Sequence, residues 1–226
     1  MRDYSLVHTK DLKVNMGVEK QKQYRTAYPD NCPPLDPVRV DEIFEAYYNE
    51  TFTNDRENEE MKGNYRRWIK EGLLQDRNTV LIFDENDTLV GWGGLDHHGK
   101  GADEFSNVEL RAITVHPSFQ GQGISKKIIE TLEGDLAGAK VPIRIQMSSH
   151  EPKILESAEK RGYKRMPIPE LLTLRGWDQQ PGYEERLKWY ESNRMEGVIK
   201  EVVPENKTRL ARLCGFFRKR VLGWTT

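Results

Sequence analysis

Apolar and polar residues alternate along residues 108–115, and several of the apolar ones are β-branched. This alternation predicts a strand, which Pro117 ends because proline lacks the N–H that a sheet ladder needs. After a turn with two glycines, apolar residues return at helical spacing at Ile124, Ile128, Ile129, Leu132 and Leu136. The pattern therefore predicts a strand, a glycine turn and a helix over residues 108–136.

Two helices are predicted before this unit. Asp36 and Pro37 suit the cap and first turn of the first helix, and its apolar stripe consists of Val40, Ile43, Phe44, Tyr47 and Tyr48. The second helix has its stripe at Met61, Tyr65, Trp68, Ile69 and Leu73, and we expect it to end near Gly72. Residues 41–60 contain eight acidic side chains and one basic one. They form either a solvated helix face or a negative rim that attracts a cationic substrate.

Further strands are predicted at residues 79–83 and 88–95, as a hairpin, and at 141–147, parallel to the 108–115 strand. A short helix over 152–161 and a last hairpin of 163–168 with 171–174 follow. Gly91, Gly93 and Gly94 indicate a bulge or the close approach of a ligand. His97 and His98 would point to opposite faces of a strand, so we expect surface or loop histidines rather than a metal pair.

The order of elements predicts an α/β fold with a mixed central sheet. Residues 1–36 form an N-terminal strand or arm, with a possible strand at Tyr4, Leu6 and Val7, and residues 37–177 form the core. Residues 178–226 form a helical extension, with a helix over 183–195, a short segment over 198–203 and a basic amphipathic tail.

The glycine turn is suited to an anion, because helix N-termini carry unpaired N–H groups and glycine lets a phosphate approach them. A dinucleotide fingerprint would need a third glycine where Lys126 stands, and no mononucleotide P-loop sequence occurs here. Gln120, Gly123 and Ser125, behind the Ile-Thr-Val-His-Pro segment that begins at Ile113, instead resemble the acyl-CoA pyrophosphate loop of the GNAT superfamily of N-acetyltransferases. In that family the third position is Gly or Ala, so Ser125 departs from the pattern.

This resemblance covers residues 37–177 and implies a central sheet whose parallel strand pair splays apart. It implies acetyl-CoA as co-substrate and no metal. Pantetheine would lie in the gap, bonded to the main chain of Ile113, Thr114 and Val115. Main-chain N–H groups of the turn would hold the pyrophosphate, at Gln120, Gly121, Gln122, Gly123, Ile124, Ser125 and Lys126.

Acyl transfer to an amine requires removal of a proton, which a carboxylate can accept. The resemblance places Glu109 at the position of the general base, and the alternative is an exposed glutamate at a strand end. The family's acid tyrosine is replaced by Ala158, and a common asparagine is replaced by Glu151. Ser149 and His150, or Ser148, could substitute at the end of the neighbouring strand.

Composition and charge bear on the location of the protein, the state of its cysteines and the partner of its C-terminal tail. The 226 residues carry a net charge of −1, without a long apolar run or a signal peptide core, so we expect a cytoplasmic protein without a membrane span. Cys32 and Cys214 are expected to be free thiols. Residues 208–226 combine five basic side chains with many large apolar ones. Docking on the core, or on a second subunit of a homodimer, is favoured over nucleic acid.

The resemblance thus implies an N-acyltransferase that moves an acetyl group from acetyl-CoA to a primary amine by direct attack, and the negative rim would favour a cationic substrate. Two alternatives stay open. One is a CoA-binding protein without transferase activity, and the other is a nucleic-acid-directed acyltransferase that uses the basic tail.

Overall fold

The computed structural model describes residues 23–52, 58–100 and 105–203. Within these ranges seven strands form one sheet in the order β1-β2-β3-β4-β5-β7-β6. They are β1 (Arg25–Ala27), β2 (Thr79–Phe83), β3 (Leu89–Lys100), β4 (Ser106–Val115), β5 (Ile143–Ser149), β6 (Lys164–Met166) and β7 (Glu196–Val202). Only the β4–β5 pair of this described sheet is parallel. The predicted mixed α/β fold is confirmed.

Six helices accompany the sheet in the described part of the chain. They are α1 (Pro37–Thr51), α2 (Glu59–Arg67), α3 (Ile124–Ala137), α4 (Pro152–Lys160), α5 (Ile168–Leu174) and α6 (Tyr183–Ser192). Asp36 caps α1 as predicted, since its side chain accepts a hydrogen bond from the N–H of Val38. Helix α2 continues into a π-helical turn, Trp68–Gly72, and a 3-10 turn, Leu73–Gln75.

The helices cover both faces of the sheet, which gives three layers. Helix α1 packs its apolar stripe against Leu81, Phe83 and Trp92 on one face. Helices α3 and α4 pack on the other face, against Val80, Ile82 and their neighbours. Successive residues of β2 therefore alternate between two cores, and all five are buried.

A bulge in β4 separates the two parallel strands. Ala112 and Ile113 lie opposite the single residue Gly93, and Ala112 adopts a left-handed φ of 49°. Strand β4 pairs with β5 only from Ser106 to Glu109. Since a bulge bends and twists its strand, β4 and β5 diverge beyond Glu109. The expected splayed pair is confirmed.

The predicted hairpin of residues 163–168 and 171–174 is wrong. Only Lys164–Met166 is a strand, and its partner is β7 rather than the following segment. Residues 168–174 form α5, where Pro167 and Pro169 begin a helix without losing a needed N–H. A short apolar run does not distinguish a strand from a buried helix, and Leu171 and Leu172 are fully buried.

Strand β3 is longer than predicted, so His97 and His98 are not loop residues. His97 is exposed, whereas the His98 side chain is 8% exposed and contacts Glu109. The glycines of β3 serve packing rather than ligand approach. A Cβ at Gly91 would lie 2.7 Å from the main-chain oxygen of Thr114, and one at Gly93 would lie 2.6 Å from the side chain of Ile128.

Residues 196–202, expected in the C-terminal extension, form a strand between β5 and β6 of the central sheet. The segment around Tyr4 and the basic tail of residues 208–226 lie outside the described residues, and the domain boundaries stay predictions. None of the described helices is long and apolar enough to span a bilayer.

Two Gly→Ala substitutions should change stability in opposite directions. Gly91→Ala places a Cβ against the Thr114 carbonyl, and such overpacking costs about 1–3 kcal/mol. Gly134→Ala lies within α3, where a Cβ would meet nothing within 4 Å, and should stabilise the protein by about 0.5–1 kcal/mol. Thermal unfolding measures both variants, and equal melting temperatures would contradict the packing role of Gly91.

Candidate functional site

A cavity of about 540 Å³ opens where β4 and β5 diverge. One wall is formed by β4 from Glu109 to Thr114, and another by Met147, Ser148 and Ser149 of β5. Residues of α1, α2 and α6 also contribute to the lining. Because the cavity lies at the carboxyl ends of parallel strands, it occupies the position where such sheets bind ligands.

The glycine turn follows β4 and leads into α3. Gly121 and Gly123 have left-handed φ values of 76° and 77°, which only glycine adopts without strain. Gly123 is the residue before α3, and the first N–H groups of that helix have no carbonyl partner within it. The backbone shape is therefore that of an anion site.

The residues predicted to hold the pyrophosphate in this turn differ in their exposure to solvent. Ile124 is buried in the core, so only its main chain could contact a ligand. The others are exposed: Gln120, Gly121, Gln122, Gly123, Ser125 and Lys126. Gln120 Nε2 donates to Glu50 Oε1 over 3.0 Å, and Gln122 accepts a hydrogen bond from the Tyr24 hydroxyl.

Two of the three residues predicted to contact pantetheine line the cavity. Ile113 and Thr114 are in its wall, whereas Val115 lies beyond it, opposite Gly91 of β3. Past Glu109, the edge of β4 that faces β5 has no strand partner among the described residues. Its main-chain groups are positioned to bond a chain-like ligand in the gap.

Glu109 lies at the apex of the gap, and its side chain is only 13% exposed. Its Oε1 lies 2.8 Å from Arg175 Nη2, and its Oε2 lies 3.0 Å from His98 Nε2. Burial alone would raise the pKa of Glu109, but Arg175, His98 and Arg111 together hold this pKa below its usual range. The residue is therefore a buried, ionised carboxylate and not an exposed strand-end glutamate.

Arg175 directly follows α5, and its side chain is completely buried. Besides Glu109, it contacts the hydroxyl of Tyr190, to which Nη1 donates over 2.8 Å, and Oε1 of Gln146, to which Nε donates over 3.3 Å. Sequence reasoning missed Arg175 and Tyr190. The available signal was a single arginine at the end of the apolar Leu-Leu-Thr-Leu run, since a buried cation needs an anionic partner.

Tyr190 of α6 is one of the residues that line the cavity. Burial is the main cause that raises the pKa of this phenol, so Tyr190 is neutral at physiological pH. Its oxygen accepts a hydrogen bond from Arg175 and forms another with Ser148. A neutral phenol in this position can donate a proton.

Ser149 and His150 also line the cavity. The buried Ser149 Oγ accepts the N–H of Glu151 over 3.0 Å at the start of α4, and His150 Nε2 lies 3.4 Å from Glu151 Oε1. Ala158, at the family's tyrosine position, is buried in the core at 2% exposure. The structure thus brings Glu109, Ser149 and His150 to one cavity.

The model of the family described as the acetyltransferase (GNAT) family matches residues 39–165. Among solved structures, PH1933 from Pyrococcus horikoshii OT3 is 16% identical over 80% of this chain and 99% of its own, with a TM-score of 0.50. An acetyltransferase from Streptococcus agalactiae 2603 is 14% identical over 79% of this chain and 98% of its own, with a TM-score of 0.49. The N-acetylglutamate synthase from Neisseria gonorrhoeae was solved with coenzyme A and N-acetyl-glutamate. It is 14% identical over 79% of this chain and 35% of its own, with a TM-score of 0.44. No curated protein matches the chain.

Removing the cation beside Glu109 should reverse the pH dependence of stability. The ordinary pKa of this carboxyl is 4.5, and the folded protein lowers it. The ion pair therefore stabilises the fold above that pH and ceases to do so as acidification passes the lowered pKa. Arg175→Met leaves this largely buried carboxylate without its guanidinium partner and should cost about 3–5 kcal/mol at pH 7.

In Arg175→Met the pKa of Glu109 should rise, so that mild acid from pH 7 to pH 5 stabilises this variant. The double variant Arg175→Met/Glu109→Gln should recover part of the lost stability because it removes the orphaned charge. Urea unfolding at pH 7 and pH 5 measures the free energy of unfolding of the wild type, both single variants and the double variant. Additive losses in the double variant would show that the two side chains do not interact energetically.

Proposed function

Because this chain belongs to the GNAT acetyltransferase family, we propose that it transfers an acetyl group from acetyl-CoA to a primary amine by direct attack. The observation that carries the proposal is the gap between β4 and β5. This gap combines an unpaired strand edge, which leads into the glycine turn, with the buried carboxylate of Glu109.

In the proposed complex, the turn of residues 120–126 holds the pyrophosphate through main-chain N–H groups. Ser125 in place of Gly or Ala is exposed at the start of α3 and does not fill the turn. The main chain of Ile113 and Thr114 bonds the pantetheine, which directs the thioester toward Glu109.

Glu109 is proposed as the general base. An alkyl amine with a pKa of about 10.4 is neutral only about once in 2,500 molecules at pH 7, which corresponds to roughly 4.6 kcal/mol. The neutral nitrogen attacks the thioester carbonyl, the carbon–sulphur bond breaks, and the amine's proton passes to Glu109. Since Arg175 and His98 already contact both carboxylate oxygens, we propose that a water molecule relays the proton.

Tyr190 is proposed as the acid that protonates the leaving thiolate. Its phenol is neutral, and because Arg175 donates a hydrogen bond to the phenol oxygen, the hydroxyl proton remains available to the thiolate. Ser149 and His150 are the alternative donors in the same cavity. An alkyl thiol has a pKa near 8.5, so acid assistance contributes less here than base catalysis does.

A CoA-binding protein without transferase activity is the second candidate. It is favoured by one observation, which is that Ala158 stands at the family's tyrosine position and lies in the core. Catalytic consumption of the thioester would exclude it.

Thiol release from acetyl-CoA, measured against pooled primary amines, tests the proposed activity and the role of Glu109. Glu109→Gln should lower kcat about 10²-fold to 10⁴-fold while CoA still binds, because the variant loses the proton acceptor. Glu130→Gln is the matched control, since Glu130 lies on the exposed side of α3. Full activity in Glu109→Gln would exclude this base. A wild-type protein that binds CoA without releasing thiol would favour the second candidate.

Tyr190→Phe separates the hydroxyl from the ring. We expect kcat to fall about 10-fold to 10²-fold with little change in KM for acetyl-CoA, because the proton donor is lost while the ring is kept. The variant also removes the hydrogen-bond acceptor of Arg175 Nη1. Acetyl esters of more acidic thiols should lose less activity in this variant, since their thiolates leave unaided. An equal loss for all thioesters would identify Tyr190 as a structural residue.

A further inference from the structure

Six aromatic side chains of the cavity wall touch one another in a continuous series, which we call the aromatic belt. In order they are Trp68, Tyr65, Phe52, Trp189, Tyr190 and Trp177. The distances between successive ring centroids are 6.0, 4.4, 5.5, 5.2 and 6.5 Å. This spacing is that of interacting rings, so the belt is one connected surface.

The belt joins elements that are distant in the sequence. Phe52 follows α1, Tyr65 lies in α2, and Trp68 begins the π-helical turn, a feature that is frequent at functional sites. Trp189 and Tyr190 belong to α6. Phe52 and Tyr190 are buried and hold these helices together, whereas the other four rings are only partly buried in the cavity wall.

The two ends of the belt already carry cations. The guanidinium of Arg111 lies 5.2 Å from the Trp68 ring centre, and that of Arg175 lies 5.4 Å from the Trp177 ring centre. Between these ends, the middle of the belt presents Tyr65 and Trp189, two partly buried rings in the cavity wall. Tyr190 connects this middle to Glu109 through Arg175.

The charges around the cavity disfavour a ligand that carries a carboxylate. Carboxylates in the wall include Asp96, Glu109 and Glu151. Arg111 is paired with Asp96 over 2.9 Å, and Arg175 is paired with Glu109 over 2.8 Å. Arg111 is the one Lys or Arg residue in the described cavity wall. Its guanidinium is thus not available to an amino acid's carboxylate without breaking an ion pair.

We infer that the acceptor is a primary amine joined by a short chain to an aromatic ring, with no carboxylate. This inference rests on the proposed function. The ring packs against Tyr65 and Trp189 while the amine reaches Glu109. An aromatic pair contributes about 0.5–1.5 kcal/mol beyond the area that it buries, so the belt prefers such amines to aliphatic ones of similar size.

Thiol release from acetyl-CoA, measured with a matched set of amines, tests the inference. The set is 2-phenylethylamine, tryptamine, 2-cyclohexylethylamine, 1,4-diaminobutane and phenylalanine. The two aryl amines should have the highest kcat/KM. The cyclohexyl analogue should fall about 3-fold to 10-fold lower, because it keeps the size but loses the ring interaction. Phenylalanine should be at least about 100-fold poorer, because its carboxylate remains unpaired.

Trp189→Leu should raise KM for 2-phenylethylamine about tenfold and leave KM for acetyl-CoA unchanged. Tyr183→Leu, on the same helix and outside the cavity wall, is the control and should change neither. Thioester turnover that is faster with the diamine or with phenylalanine would overturn the inference and keep the proposed function. Unchanged kinetics in Trp189→Leu would also overturn it.

A direct binding measurement makes the two failures distinguishable. Calorimetry of 2-phenylethylamine in the presence of CoA should show binding that Trp189→Leu weakens and Tyr183→Leu does not. Failure of the protein to bind CoA would count against the proposed function. Absence of amine binding to a CoA-loaded protein would overturn the inference.

Discussion

The parting of β4 from β5 beyond Glu109 is the constraint on which the site depends. Parallel strands normally satisfy each other's main-chain groups, so an interior gap leaves donors and acceptors that need other partners. The bulge at Ala112 and Ile113 bends β4 where its pairing with β5 ends, and Ala112 adopts a left-handed conformation that alanine tolerates poorly. The sheet thus stores a local conformational cost where it presents an unpaired edge.

The gap also explains the buried charges. A carboxylate at its apex is removed from water, which is costly unless a cation compensates it. Arg175 is that cation, and the hydrogen-bond contact with His98 Nε2 also favours the ionised form of Glu109. The same contacts weaken the carboxylate as a base, so under the proposed function its catalytic value comes from its position rather than from a raised pKa.

Local features of this chain could be predicted from the sequence, whereas contacts between distant segments could not. The turn at Gly121 and Gly123 depends on backbone conformations that adjacent residues specify, and the bounds of α1 and α3 follow from caps and apolar spacing. Insertion of β7 between β5 and β6 depends on pairing across some 50 residues, which no local pattern encodes. The contacts of Arg175 with Glu109 and of Tyr190 with Ser148 could not be predicted either, because they also join residues that are far apart in the sequence.

The features that could be predicted from the sequence and those that could not belong to different walls of the cavity. The family model ends at residue 165, and the segment that it matches contains the glycine turn, the edge of β4 and Glu109. Trp177, Trp189 and Tyr190 lie beyond it and line the cavity, and Arg175, also beyond it, contacts Glu109. Strand β7 pairs along the whole of β5, which brings the preceding α6 back over the sheet. The half proposed to bind CoA can therefore keep a common backbone shape while the C-terminal helices alter the other wall. Under the proposed function, acceptor preference is determined mainly by residues outside the family motif.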